Sequence, residues 1–375
     1  MIFRSFNPFE DINFTKGIWL ELQSKSQYSY FTSWEWMSTW INSLPKETKI
    51  HLIVGYQETN PVLAFFAGQT KRKKHGFLPT KVMALNTTGN SYFDELTIEY
   101  NSILFDPNSS LDKNALFNFI RTFEWDEFIL QGVSQDFISS FSFPEVASQH
   151  FNLVTDKVSV SHYVELQKIR DAGMDYLQLL SSNKRSQIRR SIKQYEENGK
   201  IQIVQATNTS EALSMLDELA SLHQKAWQDR GEAGSFSNEY FYQFHKSLIQ
   251  NSFDHGKIQL LRVFNEQMTI GIIYNFIHMG RILFYQSGLN YSNGNNYRPG
   301  LVSHYYAITY NAGLSSMVIY DFLAGDTDYK RSLGTDSTQI YWLRLVKSSF
   351  RLNFETNFVN FKKTIKKLVK RESNK

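Results

Sequence analysis

The hydrophobic pattern changes period repeatedly along this chain, and each change marks an element. Helical spacing runs through residues 15–25, and Ser33 then stands just before Trp36 and Trp40, which lie four apart. Ser33 is therefore placed to cap a helix that buries both indoles. Alternation predicts strands at 51–56 and 61–70 joined by a turn, further strands near 81–85 and 128–132, and a helix at 112–123 before the last of these. Farther on, Val158, Val160, His162 and Val164 alternate across 158–166, and helices are predicted at 171–180 and 183–198, the second ended by Gly199. After a strand at 200–206, Asn208 and Glu211 have the spacing of a capping box. They open a helix to Gln228 whose apolar face carries Leu213, Leu216, Ala220, His223 and Trp227. A helix at 238–251 precedes three strands at 258–264, 268–278 and 281–289, joined by short hairpins, so this part of the sheet is antiparallel. A helix at 299–313, a strand at 317–323, a short helix at 328–333 and a strand at 339–345 complete the order.

The segment 284–303 concentrates the candidate chemistry. It reads as a strand, a polar loop rich in Asn and Gly, and then Pro299 and Gly300 at the start of a helix. Proline suits the first helical position because its missing N–H would be unpaired there, and the amides of Gly300, Leu301 and Val302 follow. Free amides, the positive end of the helix dipole and Arg298 just outside form a candidate phosphate cradle. An ordinary loop leading into a helix fits the same residues.

Composition narrows the classes. With 375 residues, 42% hydrophobic and 15% aromatic, the chain has enough apolar mass for two domains with real cores. It contains no cysteine, which excludes disulfides, thiolate metal sites and a cysteine nucleophile. The nine histidines do not fall at ligand spacing, so no metal site is expected. No secretory leader and no run of 18 apolar residues is visible, so cytoplasmic residence is expected, without a transmembrane segment. The net charge of +4 is concentrated in residues 361–375, whose six Lys, one Arg and one Glu sum to +6 and leave −2 elsewhere. Phe361, Ile365 and Leu368 share a face of that basic tail, which suits docking on its own domain, with a weak contact to an anionic membrane surface or to nucleic acid as the alternatives.

Five fragments of the second half carry a resemblance: 222–236, 285–290, 298–301, 320–326 and 329–331, with support from 183–199 and 33–40. Together they resemble the GNAT-type acetyltransferases of the CelD-like, cellulose-biosynthesis branch, which is similar in turn to the Fem-type aminoacyltransferases. The resemblance implies an α+β fold of tandem GNAT-like domains, each a mostly antiparallel sheet flanked by helices. It divides the chain into an N-terminal GNAT-like domain at 1–157, a C-terminal GNAT domain with an acyl-CoA cradle at 158–350, and the basic tail at 351–375. Acetyl-CoA is the implied co-substrate. One departure stands out: the family's pyrophosphate loop usually holds more glycines than Arg298, Pro299 and Gly300 supply here.

Transfer from a thioester to an amine needs a deprotonated amine, an acid for the departing thiolate, and no covalent intermediate. His223 is the candidate base, with a buried core histidine as the alternative. Asp321 interrupts an apolar strand and either lines the cleft or forms an internal ion pair with Lys330 or Arg230. Tyr329 is the candidate acid, as tyrosines commonly are in the family the chain resembles, with packing as its alternative. Gln286, Ser287, Gly288, Arg298, Gly300, Leu301 and Val302 are the expected cofactor contacts, and Trp227, Arg230 and Lys330 the expected substrate contacts. Lys184, Arg185, Arg189 and Arg190 form a basic cluster on one helix, suited to the CoA 3′-phosphate, an anionic sugar or tRNA, or simply to solvent.

These readings converge on an acyl-CoA-dependent N-acyltransferase acting on a polar small molecule or saccharide precursor, with no nucleic-acid partner expected. The competing readings are Fem-like aminoacyl transfer from charged tRNA and a GNAT-fold scaffold without chemistry. The sequence leaves the acceptor, the acyl chain and the oligomeric state open.

Overall fold

The alternating runs assemble into one sheet whose two ends mirror each other. The computed structural model describes residues 1–74, 78–141 and 151–347. The basic tail and its apolar face lie outside the described residues. The strands are β1 (Ile2–Phe6), β2 (Ile50–Gln57), β3 (Asn60–Lys74), β4 (Leu78–Leu85), β5 (Leu104–Phe105), β6 (Glu127–Ser134), β7 (Phe151–Glu165), β8 (Gln202–Gln205), β9 (Ile258–Phe264), β10 (Thr269–His278), β11 (Arg281–Leu289), β12 (Ile319–Ala324) and β13 (Asp336–Lys347). Their spatial order is β1-β2-β3-β4-β6-β13-β7-β12-β11-β10-β9-β8, with β5 paired to β3.

From the outer edge inward, β1 to β4 are antiparallel, β4 runs parallel to β6, and β6 is antiparallel to β13. From the other edge, β8 to β11 are antiparallel, β11 runs parallel to β12, and β12 is antiparallel to β7. Each half thus repeats the same plan, and the halves meet in the long antiparallel ladder of β7 with β13. The last strand of the described chain completes the first half of the sheet. Residues 157 and 158, the expected division, both lie inside β7.

Helix boundaries follow local chemistry. Ser33 accepts from the Trp36 amide and starts the helix Trp34–Ser43, and Asn208 accepts from the Glu211 amide and starts Thr209–Gln228. The Glu211 carboxylate turns to the amide and hydroxyl of Thr207, so the reciprocal bond of the box lands one residue early. The helix expected at 171–180 is replaced by a helix at Leu166–Asp171 and a 3₁₀ turn at Tyr176–Leu179. Gly173 and Met174 between them have φ of 65° and 66°, which no right-handed helix accommodates. The core-facing side of Thr209–Gln228 is also rotated from expectation: Ala212, Met215, Leu216, Leu219 and His223 are buried, whereas Trp227 is exposed.

On one face of the sheet a single apolar cluster runs through both halves, from Trp19, Trp36 and Phe66 to Leu216, Phe244 and Phe276. The helices Trp34–Ser43 and Glu239–Ser252 meet there, with the Trp36 and Phe244 rings 4.8 Å apart. Each half has a further cluster of its own. Shared packing of this extent fixes the two halves against each other and so fixes any site built between them.

Candidate active site

The site begins where two strands part. β11 and β12 run parallel for only three rungs, Arg281 with Ile319, Ile282 with Tyr320 and Leu283 with Asp321. Beyond Leu283 the strands diverge, and a cavity of about 680 Å³ occupies the gap. Phe284, Tyr285, Gln286, Ser287 and Leu289 line one wall, and Thr327, Tyr329 and Lys330 the other. The β10–β11 ladder shifts register so that Tyr274 faces Gln286 while Asn275 faces Phe284, which leaves Tyr285 out of the pairing. A bulge of this kind turns backbone polar groups away from the ladder and toward a cleft.

The helix Pro299–Ala312 opens at the mouth of this cavity. Arg298 caps it in the left-handed region at φ 47°, an uncommon position for a non-glycine residue and one that clusters at ligand sites. Among the described residues, the Gly300 and Leu301 amides have no hydrogen-bond acceptor, whereas the Val302 amide is bonded to the Arg298 carbonyl at 3.3 Å. Val302 is therefore not a free donor, and its side chain is buried in a separate apolar cluster. The cradle consists of two amides, not three. At Gly300 an added Cβ would meet only the Leu289 side chain, at 3.2 Å.

Two arginines stand at the entrance. Arg298 and Arg230 line the cavity, and the Arg230 guanidinium lies 5.8 Å from the Trp227 ring and 5.5 Å from the Tyr291 ring. Burial, and then the charge of Arg298, lower the Lys184 pKa, so the first residue of the basic helix cluster feels the charge of Arg298 without lining the cavity itself. Two guanidinium groups beside two free amides suit an anionic ligand.

Of the expected site residues, His223, Trp227, Arg230, Gln286, Ser287, Arg298, Gly300, Leu301, Tyr329 and Lys330 all line this cavity. Gly288 does not. An added Cβ there would come within 2.7 Å of the Leu219 Cα, so this glycine lets the helix Thr209–Gln228 lie directly on β11. Asp321 does not line the cavity either. It is fully buried and accepts from Arg281 Nη1 at 2.6 Å, Tyr100 Oη at 2.6 Å, Ser161 Oγ at 2.7 Å and the Leu323 amide at 2.8 Å. Its internal ion-pair partner is Arg281, neither Lys330 nor Arg230. With both carboxylate oxygens engaged, Asp321 joins strands and has no free atom for an acceptor.

His223 is 4% exposed, and burial followed by the nearby Arg230 charge lowers its pKa, which keeps the ring neutral near pH 7. Its Nδ1 meets Gln224 at 3.3 Å, and its ring packs edge-on against Phe236. Burial, followed by the neighbouring Tyr291, pushes the Tyr329 phenol well above its usual value, so it stays protonated. Among the described residues the Tyr329 hydroxyl has no hydrogen-bond partner, and its ring stacks on His304 with centroids 5.5 Å apart. His304 is a cavity residue that the sequence pattern concealed, because it sits inside an apolar helical run. Burial, with a smaller contribution from Lys330, holds its pKa down to about 3.

The first half has a corresponding gap between β4 and β6, which pair only from Val82 to Ala84. That gap is filled by its own chain. Asn101 donates to the carbonyls of Leu85 and Gln131, and Asn86 donates to Asn101 Oδ1 and to the Ser102 carbonyl. An added Cβ on Gly132 would reach the Glu99 Cα at 3.1 Å. Among the described residues, then, the gap in the second half is the one of the two that opens as a cleft.

Residues 182–331 match the family model described as an acetyltransferase (GNAT) domain. Three solved structures are similar in fold. FemX is 10% identical with a TM-score of 0.58, over 92% of this chain and 97% of that one. A conserved protein of unknown function from Bacteroides thetaiotaomicron VPI-5482 is 10% identical with a TM-score of 0.56, over 88% and 97%. L-PGS from Bacillus licheniformis is 8% identical with a TM-score of 0.50, over 92% and 94%. No curated protein matches the chain in sequence. Among the described residues there is no helix long and apolar enough to cross a membrane and no group of three or more His, Asp or Glu residues that could hold a metal. The open cleft falls within the matched span, and on that match the chain carries a GNAT-type acetyltransferase domain and is an acyltransferase.

Proposed function

We propose that the chain transfers an acyl group, most simply acetyl, from a CoA thioester to the amine of a polar small molecule or saccharide precursor, as a member of the CelD-like branch. The observation that carries this reading is the pairing of two free amides at Gly300 and Leu301 with Arg298 and Arg230 at the mouth of the cleft between β11 and β12. When bound, acetyl-CoA supplies an activated acyl group. The chain orients it and manages protons.

The Gly300 and Leu301 amides, with Arg298 beside them, would hold the pyrophosphate. His223, neutral at working pH, takes the proton of the incoming amine, and Tyr329, held protonated by burial, offers its phenolic proton toward the departing sulfur. The apolar walls of Phe284, Leu289 and the Tyr329 ring keep water from the thioester.

Calorimetric titration with acetyl-CoA and with desulfo-CoA tests the reading. Both are expected to bind. If neither binds, the CoA reading fails; if charged tRNA then binds with a steep dependence on salt, aminoacyl transfer takes its place.

A further inference from the structure

The loop that fills the gap in the first half also reaches the cleft of the second. The Leu96 carbonyl accepts a hydrogen bond from the Tyr285 hydroxyl, Tyr100 donates to Asp321, and Glu99 accepts from the Ala324 amide at 2.6 Å. Ala324 ends β12, and its carbonyl accepts from Lys330 Nζ at 2.9 Å, while the Leu323 carbonyl accepts from the same atom at 3.3 Å. The Glu99 carboxylate and the Lys330 ammonium therefore meet on the two sides of one peptide residue. Lys330 is nearly buried yet lines the cleft. An ammonium has three N–H donors, and two are used here on carbonyls.

We propose that Glu99, supplied by the first half of the chain, is a positioning residue for the transfer site. By facing Lys330 across Ala324 it keeps the ammonium charged, so that the third N–H is offered to an anionic or carbonyl oxygen of the acceptor. This rests on the acyl-transfer reading of the cleft. Among the described residues, four charged or titratable groups interact electrostatically with Lys330. Glu99 on the loop and Asp321 on β12 favour its charge, Lys157 on β7 opposes it, and His304 on the helix Pro299–Ala312 is neutral. Burial works against the charge, which makes the carboxylates decisive. Glu99 is itself buried, and burial lifts its pKa to about 7, so the arrangement is sensitive to pH near neutrality.

Competitive labelling of the whole protein with trace acetic anhydride, followed by mass spectrometry of the Lys330 peptide, reads the charge on Lys330 directly. In Glu99→Gln the pH at which Lys330 becomes reactive should fall by about one unit, a tenfold rise in labelling at fixed pH. Glu99→Asp should restore it, and acetyl-CoA affinity by calorimetry should not change. An unchanged Lys330 profile in folded Glu99→Gln overturns the proposal. If that variant does not fold, the wild-type protein decides: free labelling of Lys330 at neutral pH would mean that no charge is held there, whereas protection until alkaline pH supports the proposal. Failure of wild-type protein to bind acetyl-CoA would instead overturn the CoA reading, whatever the Lys330 profile.

Discussion

Tyr100, on a loop of the first half, donates its phenolic proton to the Asp321 carboxylate of the second half at 2.6 Å, and the Arg281 guanidinium donates to that same carboxylate. Asp321 is fully buried while the Arg281 side chain is 34% exposed, so the pair is half solvated. Removing the negative charge strands a cation and weakens two hydroxyl bonds. Asp321→Asn should lower unfolding stability by about 3 kcal/mol, the low end for a broken buried pair, with little change in acetyl-CoA affinity. Urea titration beside calorimetry would check both halves of this expectation.

Arg298→Ala should weaken acetyl-CoA binding by about 1–3 kcal/mol, the scale of a charge-assisted hydrogen bond, because the two cradle amides would lose their neighbouring charge. A folded variant with unchanged affinity would put the phosphates elsewhere.

The two glycines near the cleft should respond differently to alanine. In Gly288→Ala the new methyl meets the Leu219 backbone, which cannot yield without moving a helix, and a cost of about 1–3 kcal/mol is expected. Gly300→Ala meets only a leucine methyl at 3.2 Å and should change the melting temperature little. Thermal unfolding of the two variants side by side measures the contrast.

His223→Gln should reduce turnover about 10²-fold, followed as free thiol released from acetyl-CoA with a panel of amines, and should remove the acidic limb of the rate profile. Normal turnover per folded molecule, with a lower melting temperature, would assign the ring to packing.

His304 gives a pH signature of stability. Its folded pKa is held near 3 against an unfolded value near 6.5. The unfolded chain therefore takes up the proton first, and the stability that His304 provides above pH 6.5 is lost as pH falls toward 3. His304→Gln should flatten the fall between those limits by about 1 kcal/mol per pH unit relative to wild type, read from urea midpoints.

Much of this architecture is legible in periodicity. The helix Asp328–Leu333 and the strand β9 fall at their expected residues, and Ser33 and Asn208 cap the expected helices, because these features depend on neighbours in sequence. What depends on distant neighbours is not legible. Nothing local distinguishes Gly288, which accommodates a helix, from Gly300, which borders the cavity. The partner of Asp321 is Arg281, forty residues away on the parallel strand, and nothing in the local pattern singles out that residue. Glu99 looks like an ordinary loop carboxylate until the loop is seen to cross between the halves. The short strand β1 leaves no readable signal either, since Phe3 is its one buried residue and so short a run gives little alternation.

The position of β13 sets the order in which this molecule can be made. β6 is synthesised early, with β4 on one side, and its other edge has no partner until β13 arrives from the far end of the second half. During synthesis that edge is open hydrogen-bonding surface of the kind that pairs with other chains. A polypeptide truncated after the first half would keep it open permanently, so the first half alone should aggregate or require a holding chaperone, and the second half without β6 would leave β13 equally exposed. The halves share one folding event even though each repeats the other's plan.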